Sequence, residues 1–326
     1  MLHDPAQLPT ERDPRGERTI WESDISLSLS LQQVVSDAAR IGRGARLVLS
    51  EAGGQQLVLA SPAGLRYPWR SLVARVLENG AVEIQSGIVA VPVLASRDMR
   101  GALLIYHHPH VGAAASEAIA MALAARAEAA LAAATARLSS ISGYVNGLVQ
   151  MLAAYDSDTA RHSQVVRRLA RAVGRAARLS SSELLELEWA AALHDVGKVS
   201  IPRAVLHKTG PLIAPEWALM RQHPTIGERI AQPVPSLGAV ALAIRHHHER
   251  WDGTGYPDRL AGEAIPLTSR LISVVDAYET MRTGRPYRGA FSCDKTIREL
   301  ESSAGRQFDP ALLDLLPVLR TRDLDL

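Results

Sequence analysis

The residues of this chain best suited to chemistry are histidines and aspartates in its second half. His194 and Asp195 are adjacent, and Asp195 stands three residues ahead of Lys198. His247 and His248 form a second pair, and Asp276 lies inside the apolar run LISVVDAY. A lone His-Asp dipeptide means little, but a carboxylate in an apolar stretch is costly unless it meets a cation or strong donors. A metal ion is the natural partner. Imidazole and carboxylate ligands without thiolates suit iron, manganese or zinc. A carboxylate such as Asp195 can also bridge two ions about 3.5–4 Å apart, the arrangement used in phosphoryl chemistry.

The elements that must position these groups are helical. Residues 183–193 (ELLELEWAAAL) are expected to form an amphipathic helix, with Gly197 placed to stop it, so that His194 and Asp195 sit at its end. Ser236 is expected to cap a helix running to Glu249, which would carry His247 and His248 at its C-terminal end about 100° apart. Pro266 suits the first turn of a further helix that holds Asp276.

Five motifs then follow one another: HDVGKVSIP, HPTIGERI, HHERWDGTGYPDRLAGEAIP, VVDAYETMRTGRPYR and GRQFDP. In this order they resemble an HD-GYP domain, the helical phosphodiesterase family that acts on cyclic di-GMP. The resemblance implies metal ligation by His162, His194, Asp195, His223, His247, His248 and Asp276. His162 matches the family's T-x-x-H pattern, 32 residues before His194. Lys198 would bind phosphate, Arg285 and Arg288 would contact the nucleotide, and the loop with Gly255 and Tyr256 would shape the substrate site. Asp195 and Lys198 would carry catalysis, with two or three divalent ions, iron or manganese, supplying a nucleophile for in-line attack on phosphorus. The implied product is pGpG, with further cleavage to GMP left open.

Asp158 precedes His162 by one helical turn and is either a ligand to a third ion or a solvent-facing acid at a helix start. The family's second aspartate after Asp276 is here Glu279, whose longer arm changes the support around the ligands. That departure keeps a second reading open, a cyclic di-GMP receptor that signals through a protein partner. An HD phosphohydrolase acting on other nucleotides is a third, against which DGTGYP and RPYR argue.

The first half reads differently. A flexible tail over 1–19 precedes a helix in 25–41, β-like runs at 46–50 and 56–60 around Ala52-Gly53-Gly54, a helix at 71–78, and strands at 87–93 and 102–106. The run SGIVAVPVLASRDMRGALLIYHH followed by a long helix is similar to the closing part of GAF sensory domains. An α+β GAF-like domain over 20–112, with an unknown ligand, is therefore expected ahead of a linker helix (113–140) and an all-α HD-GYP domain (141–326). His107, His108 and His110 are expected in a loop.

Leu131, Leu138, Val145 and Leu152 recur every seven residues, as do Ala127, Ala134, Ile141, Leu148 and Tyr155. Such a/d spacing suggests a parallel homodimer through the linker helix, the alternative being two helices that each pack on their own domain. Composition narrows the rest. Of 326 residues, 47% are hydrophobic and 21% charged, and the net charge of +2 gives no reason to expect a DNA or RNA partner or an anionic membrane. Cys293 is the only cysteine, so an intrachain disulfide is excluded and a reducing compartment fits. The N-terminal residues lack the apolar core of a signal peptide, and Glu117, Arg126, Glu128 and Arg137 interrupt the alanine-rich stretch 111–138. No membrane span is read there, and a cytoplasmic protein is expected.

Overall fold

A computed structural model describes residues 25–41, 44–51, 56–61, 69–85, 87–94, 99–106, 113–283 and 289–320. The chain divides into two compact units that meet at Ser139–Ser140.

In the first unit the order is α1 (Ile25–Ile41), β1 (Gly44–Glu51), β2 (Gln56–Ser61), α2 (Arg70–Asn79), β3 (Glu83–Gln85), β4 (Ile88–Leu94) and β5 (Met99–Tyr106). The strands form one antiparallel sheet in the order β2-β1-β5-β4-β3. The expected strands are all present, and β3, only three residues long and without an apolar pattern, is the one the sequence did not signal. Side chains alternate along each strand. Ala45, Leu47, Leu49, Val89, Val91, Val93, Leu103 and Ile105 join α1 in one core, whereas Val48, Ile88, Ala90, Leu104 and Tyr106 face α2 in the other. Covering both faces explains why β4 and β5 read as nearly unbroken apolar runs. Arg46 lies on the α2 side, only 2% exposed, with its guanidinium 4.8 Å above the Trp69 ring. The Ala52-Gly53-Gly54 turn and His107, His108 and His110 lie outside the described residues.

The next helix, α3 (Ala113–Tyr155), continues well past residue 140. Among the described residues its Glu117–Tyr155 stretch is the one helix long and apolar enough to cross a membrane by length and composition. Its apolarity has a use within the chain. Ala120, Leu123, Ala124, Ala127, Leu131 and Ala134 complete the sheet core in the first unit, and Ile141, Val145, Val149 and Leu152 are buried in the second. Two of its charges are engaged locally: Arg126 pairs with Asp37 at 2.9 Å, and Glu128 accepts from the Leu94 amide at 2.7 Å. Most of the heptad positions are therefore occupied by contacts inside each unit.

The second unit continues with α4 (Ser157–Ala176), α5 (Ser181–Leu193), a 3-10 turn at Val196–Ser200, α6 (Arg203–Leu206), α7 (Ala214–Met220), α8 (His223–Ala231), α9 (Gly238–His246), α10 (Leu267–Thr283), α11 (Cys293–Ser302) and α12 (Pro310–Leu313). Asp156 caps α4 through the Asp158 amide, and Ser180 with Glu183 forms a reciprocal capping box on α5. The expectation that α5 is amphipathic is corrected: every residue from Leu187 to Leu193 is buried, because helices surround this segment. Glu188 is tolerated inside by Arg167 and Arg171, at 3.4 and 3.3 Å.

Gly197 also has a different role from the expected stop. The helix already ends at Leu193 with His194 as its cap, and Gly197 is not among the glycines with positive φ. A Cβ there would lie 2.0 Å from the His223 carbonyl oxygen and 2.7 Å from the Gly227 nitrogen. Its missing side chain lets the 3-10 turn press against α8. Gly197→Ala is expected to destabilise the second unit by about 1–3 kcal/mol, read as a lowered midpoint in chemical denaturation. An unchanged midpoint would mean that α8 can move aside freely.

Candidate metal centre

Five helical segments bring the chemistry together. α4 contributes His162, the end of α5 His194 and Asp195, the start of α8 His223, and α10 Asp276. α9 is shorter than expected, ending at His246, so His247 caps it and His248 falls in the following turn. Three imidazoles are oriented in one way. The Nδ1–H of His194 donates to the Ala191 carbonyl at 2.8 Å, that of His223 to Met220 at 2.7 Å, and that of His247 to Ile244 at 2.6 Å. Each ring thus carries its proton on Nδ1 and presents a bare Nε2.

Those bare nitrogens face other acceptors. Nε2 of His223 lies 3.3 Å from Nε2 of His247 and 3.3 Å from Oδ1 of Asp195. Nε2 of His194 is buried without a hydrogen-bond partner, although Oδ2 of Asp195 is 3.4 Å away. Lone pairs pointed at one another in a dry site repel unless a cation lies between them. The donor set therefore fits a metal. Burial holds His223 down to about 3 and His248 to about 4, and pushes His247 well below the usual imidazole range, so these rings stay neutral, as ligands must be.

The donors fall into two groups, His162, His194 and Asp195 in one and His223, His247 and His248 in the other, with ligand atoms within 4.8 Å of one another in each. Two donors on one ion, each about 2.0–2.2 Å from it, lie at comparable separations. Asp195 turns Oδ2 towards His194 and Oδ1 towards His223, so its carboxylate stands between the groups. Burial opposes its ionisation, but Lys198, with Nζ 2.6 Å from Oδ2, and the nearby histidines hold the carboxyl well below its usual range.

His162 is held by two acids. Its Nε2 is 2.9 Å from Oδ1 of Asp276, and its Nδ1 donates to Glu279. Burial disfavours its charge, yet the two carboxylates raise its pKa to about 10, so an ion taken up at Nε2 displaces the proton shared with Asp276. Glu279 is itself buried, and its other oxygen accepts from Thr283 at 2.7 Å. The longer arm at this position is thus what reaches the far nitrogen of His162.

The wall of the site is the loop after His248. Gly255 packs so closely that a Cβ would lie 2.4 Å from the Arg250 nitrogen. This brings the Tyr256 amide to the His248 carbonyl at 3.3 Å and stacks the Tyr256 ring on His248, centroids 5.0 Å apart at 29°. Asp258 ties the loop down. It receives a bidentate contact from Arg245 at 2.6 and 2.8 Å and lies 2.9 Å from Nε2 of His246, while its amide donates to Glu249 at 2.7 Å. The GRQFDP segment holds the loop from the other side, where the amides of Trp251 and Asp252 donate to the carbonyls of Gln307 and Arg306 at 3.2 and 2.8 Å.

Residues 146–312, just over half of the chain, match the HD domain family. This chain belongs to that family. The cyclic di-GMP phosphodiesterase response regulator RpfG of Xanthomonas campestris pv. campestris is 42% identical over 140 residues, 42% of this chain and 37% of that protein. A cyclic di-GMP phosphodiesterase of Thermotoga maritima is 37% identical over 173 residues, 51% of this chain and 46% of its own. The 3'3'-cGAMP-specific phosphodiesterase 2 of Vibrio cholerae is 38% identical over 178 residues, covering 53% and 33%. The chain thus spans between a third and about half the length of these relatives.

Within this HD domain the structure assembles His162, His194, Asp195, His223, His247, His248 and Asp276, with Lys198, Gly255 and Tyr256 beside them. It does not bring Asp158 to them. That side chain is 72% exposed and pairs with Arg161 on the same turn, because Asp158 lies on the solvent side of the first turn of α4, whereas Ala160 is buried and His162 turns inward. Arg285 and Arg288 lie outside the described residues. Sequence reasoning missed Asp258, Arg245 and Glu249 as supports, and His246 is buried against Asp258. Asp258 directly follows the Tyr256-Pro257 pair, and that adjacency was the available signal.

Glu279→Ala is expected to weaken divalent-metal binding about 10- to 100-fold by freeing His162. Asp158→Ala should leave metal content per chain unchanged. Elemental analysis and metal titration of both variants check this, and a loss of one ion in Asp158→Ala would restore that residue to the ligand set.

Proposed function

We propose that the chain is an HD-GYP phosphodiesterase that hydrolyses cyclic di-GMP to pGpG, using two divalent ions, iron or manganese. The observation that carries this reading is the pair of donor groups with the Asp195 carboxylate standing between them, walled by Tyr256 of DGTGYP. The names of the relatives support the reaction class and the cyclic dinucleotide substrate. His162, His194, Asp195 and Asp276 would hold one ion, and Asp195, His223, His247 and His248 the other. When bound, such ions supply Lewis acidity and a nucleophile at neutral pH.

The chain's own residues do the rest. Asp195 keeps the two groups in register through both oxygens. Lys198, three residues on and 22% exposed, carries an ammonium that reaches from Asp195 to a phosphoryl oxygen. The Tyr256 ring closes one side and excludes water, and burial pushes its hydroxyl up, so it stays protonated and donates. Arg285 and Arg288 complete the contacts to the nucleotide.

The first unit serves in this reading as a GAF-like sensor for an unknown ligand. The protein acts in the cytoplasm as a homodimer. The dimer contact in this reading lies along α3, where Tyr144 and Met151 flank the heptad stripe and are exposed one heptad apart.

On metal-replete protein, Asp195→Ala should abolish hydrolysis of cyclic di-GMP and remove most bound metal. Lys198→Ala should cut kcat about 100-fold with metal retained. Product analysis beside elemental analysis separates the two. Turnover by the Asp195 variant, or absence of turnover by the wild type on cyclic di-GMP, would overturn the reading, and preference for 3'3'-cGAMP would redirect it.

A further inference from the structure

Arg221 caps the C-terminus of α7, two residues before His223, and its side chain is exposed. Its guanidinium lies 5.4 Å over the ring of Tyr256, the same ring that stacks on His248. A cation–π contact fixes the plane of a guanidinium without using its N–H donors. Among the described residues, Arg245 is committed to Asp258 and Glu228 and Arg270 to Asp309, while Lys198, against Asp195, is assigned above to the phosphate being cleaved. Arg221 forms no ion pair with another described residue. It is a pre-oriented fork of donors at the rim of the metal centre.

A cyclic dinucleotide carries two phosphodiesters. Only one can lie at the ligand set for cleavage, and the other needs a counter-charge nearby. We propose that Arg221 binds the uncleaved phosphodiester, which makes it a specificity-determining residue that separates cyclic dinucleotides from single phosphodiesters. The inference rests on the phosphodiesterase reading above. The planar guanidinium meets a phosphate through two parallel N–H contacts, which a lysine ammonium cannot reproduce.

The test compares the metal-replete full chain with Arg221→Ala and Arg221→Lys on two probes, cyclic di-GMP and bis(p-nitrophenyl) phosphate. The alanine variant should raise KM for cyclic di-GMP about 10- to 100-fold. Its kinetics on the nitrophenyl diester and its metal content should match the wild type, and lysine should restore part of the loss. Unchanged KM for cyclic di-GMP in Arg221→Ala would overturn the assignment, as would equal losses on both probes. A wild type that cleaves the nitrophenyl diester but not cyclic di-GMP would instead overturn the substrate reading, and the role of Arg221 with it.

Discussion

The constraint on which the second unit depends is the meeting of acceptors at its centre. Nε2 atoms of His194, His223 and His247 and both oxygens of Asp195 point at one another across 3.3–3.4 Å, with no protons of their own to share. Lys198 offsets part of that repulsion, at one oxygen of Asp195 only. Three things hold it in place: backbone carbonyls that fix each imidazole tautomer, Lys198 against Asp195, and the helix packing that leaves these groups no room to turn away. A protein that maintains such an arrangement has arranged a cation site in advance.

Packing around that centre is correspondingly tight. The missing side chain at Gly197 lets the turn after Asp195 touch the backbone of His223, so two ligand-bearing segments meet without a spacer. The Tyr256 loop is pinned from two directions, by Asp258 to the end of α9 and by main-chain bonds to the GRQFDP segment. The motifs that stand apart in sequence are therefore one mechanical assembly. The fifth, which holds no ligand, serves as the outer clamp of the third.

Much of this was legible before the structure. The five ordered motifs, through their resemblance to HD-GYP domains, pointed to the residues that the fold brings together. The strands of the first unit followed from apolar runs bounded by glycines. What stayed hidden depended on contacts distant in sequence. The pattern of α5 gave no sign that other helices cover all its sides, and Gly197 looked like a stop because its neighbour at residue 223 cannot be seen from position 197. Glu279 looked like a weakened aspartate, yet its length is what spans to His162, 117 residues away. Asp158 shared a helical turn with His162, but spacing alone does not say which way a first-turn side chain leans. The seven-residue stripe of α3 was real, and it faces the chain's own cores.

The carbonyls of Ala191, Met220 and Ile244 belong to the last turns of α5, α7 and α9, where helix oxygens have no amide left to receive. The histidines that follow satisfy them, so the bonds that finish three helices also aim three ligands. The geometry further implies that three helix C-termini approach one point. Each such end carries about half a negative charge from its aligned peptide units. Part of the attraction for a dication is therefore written in the main chain, and it persists in any variant that keeps these helices, whichever single side chain is removed.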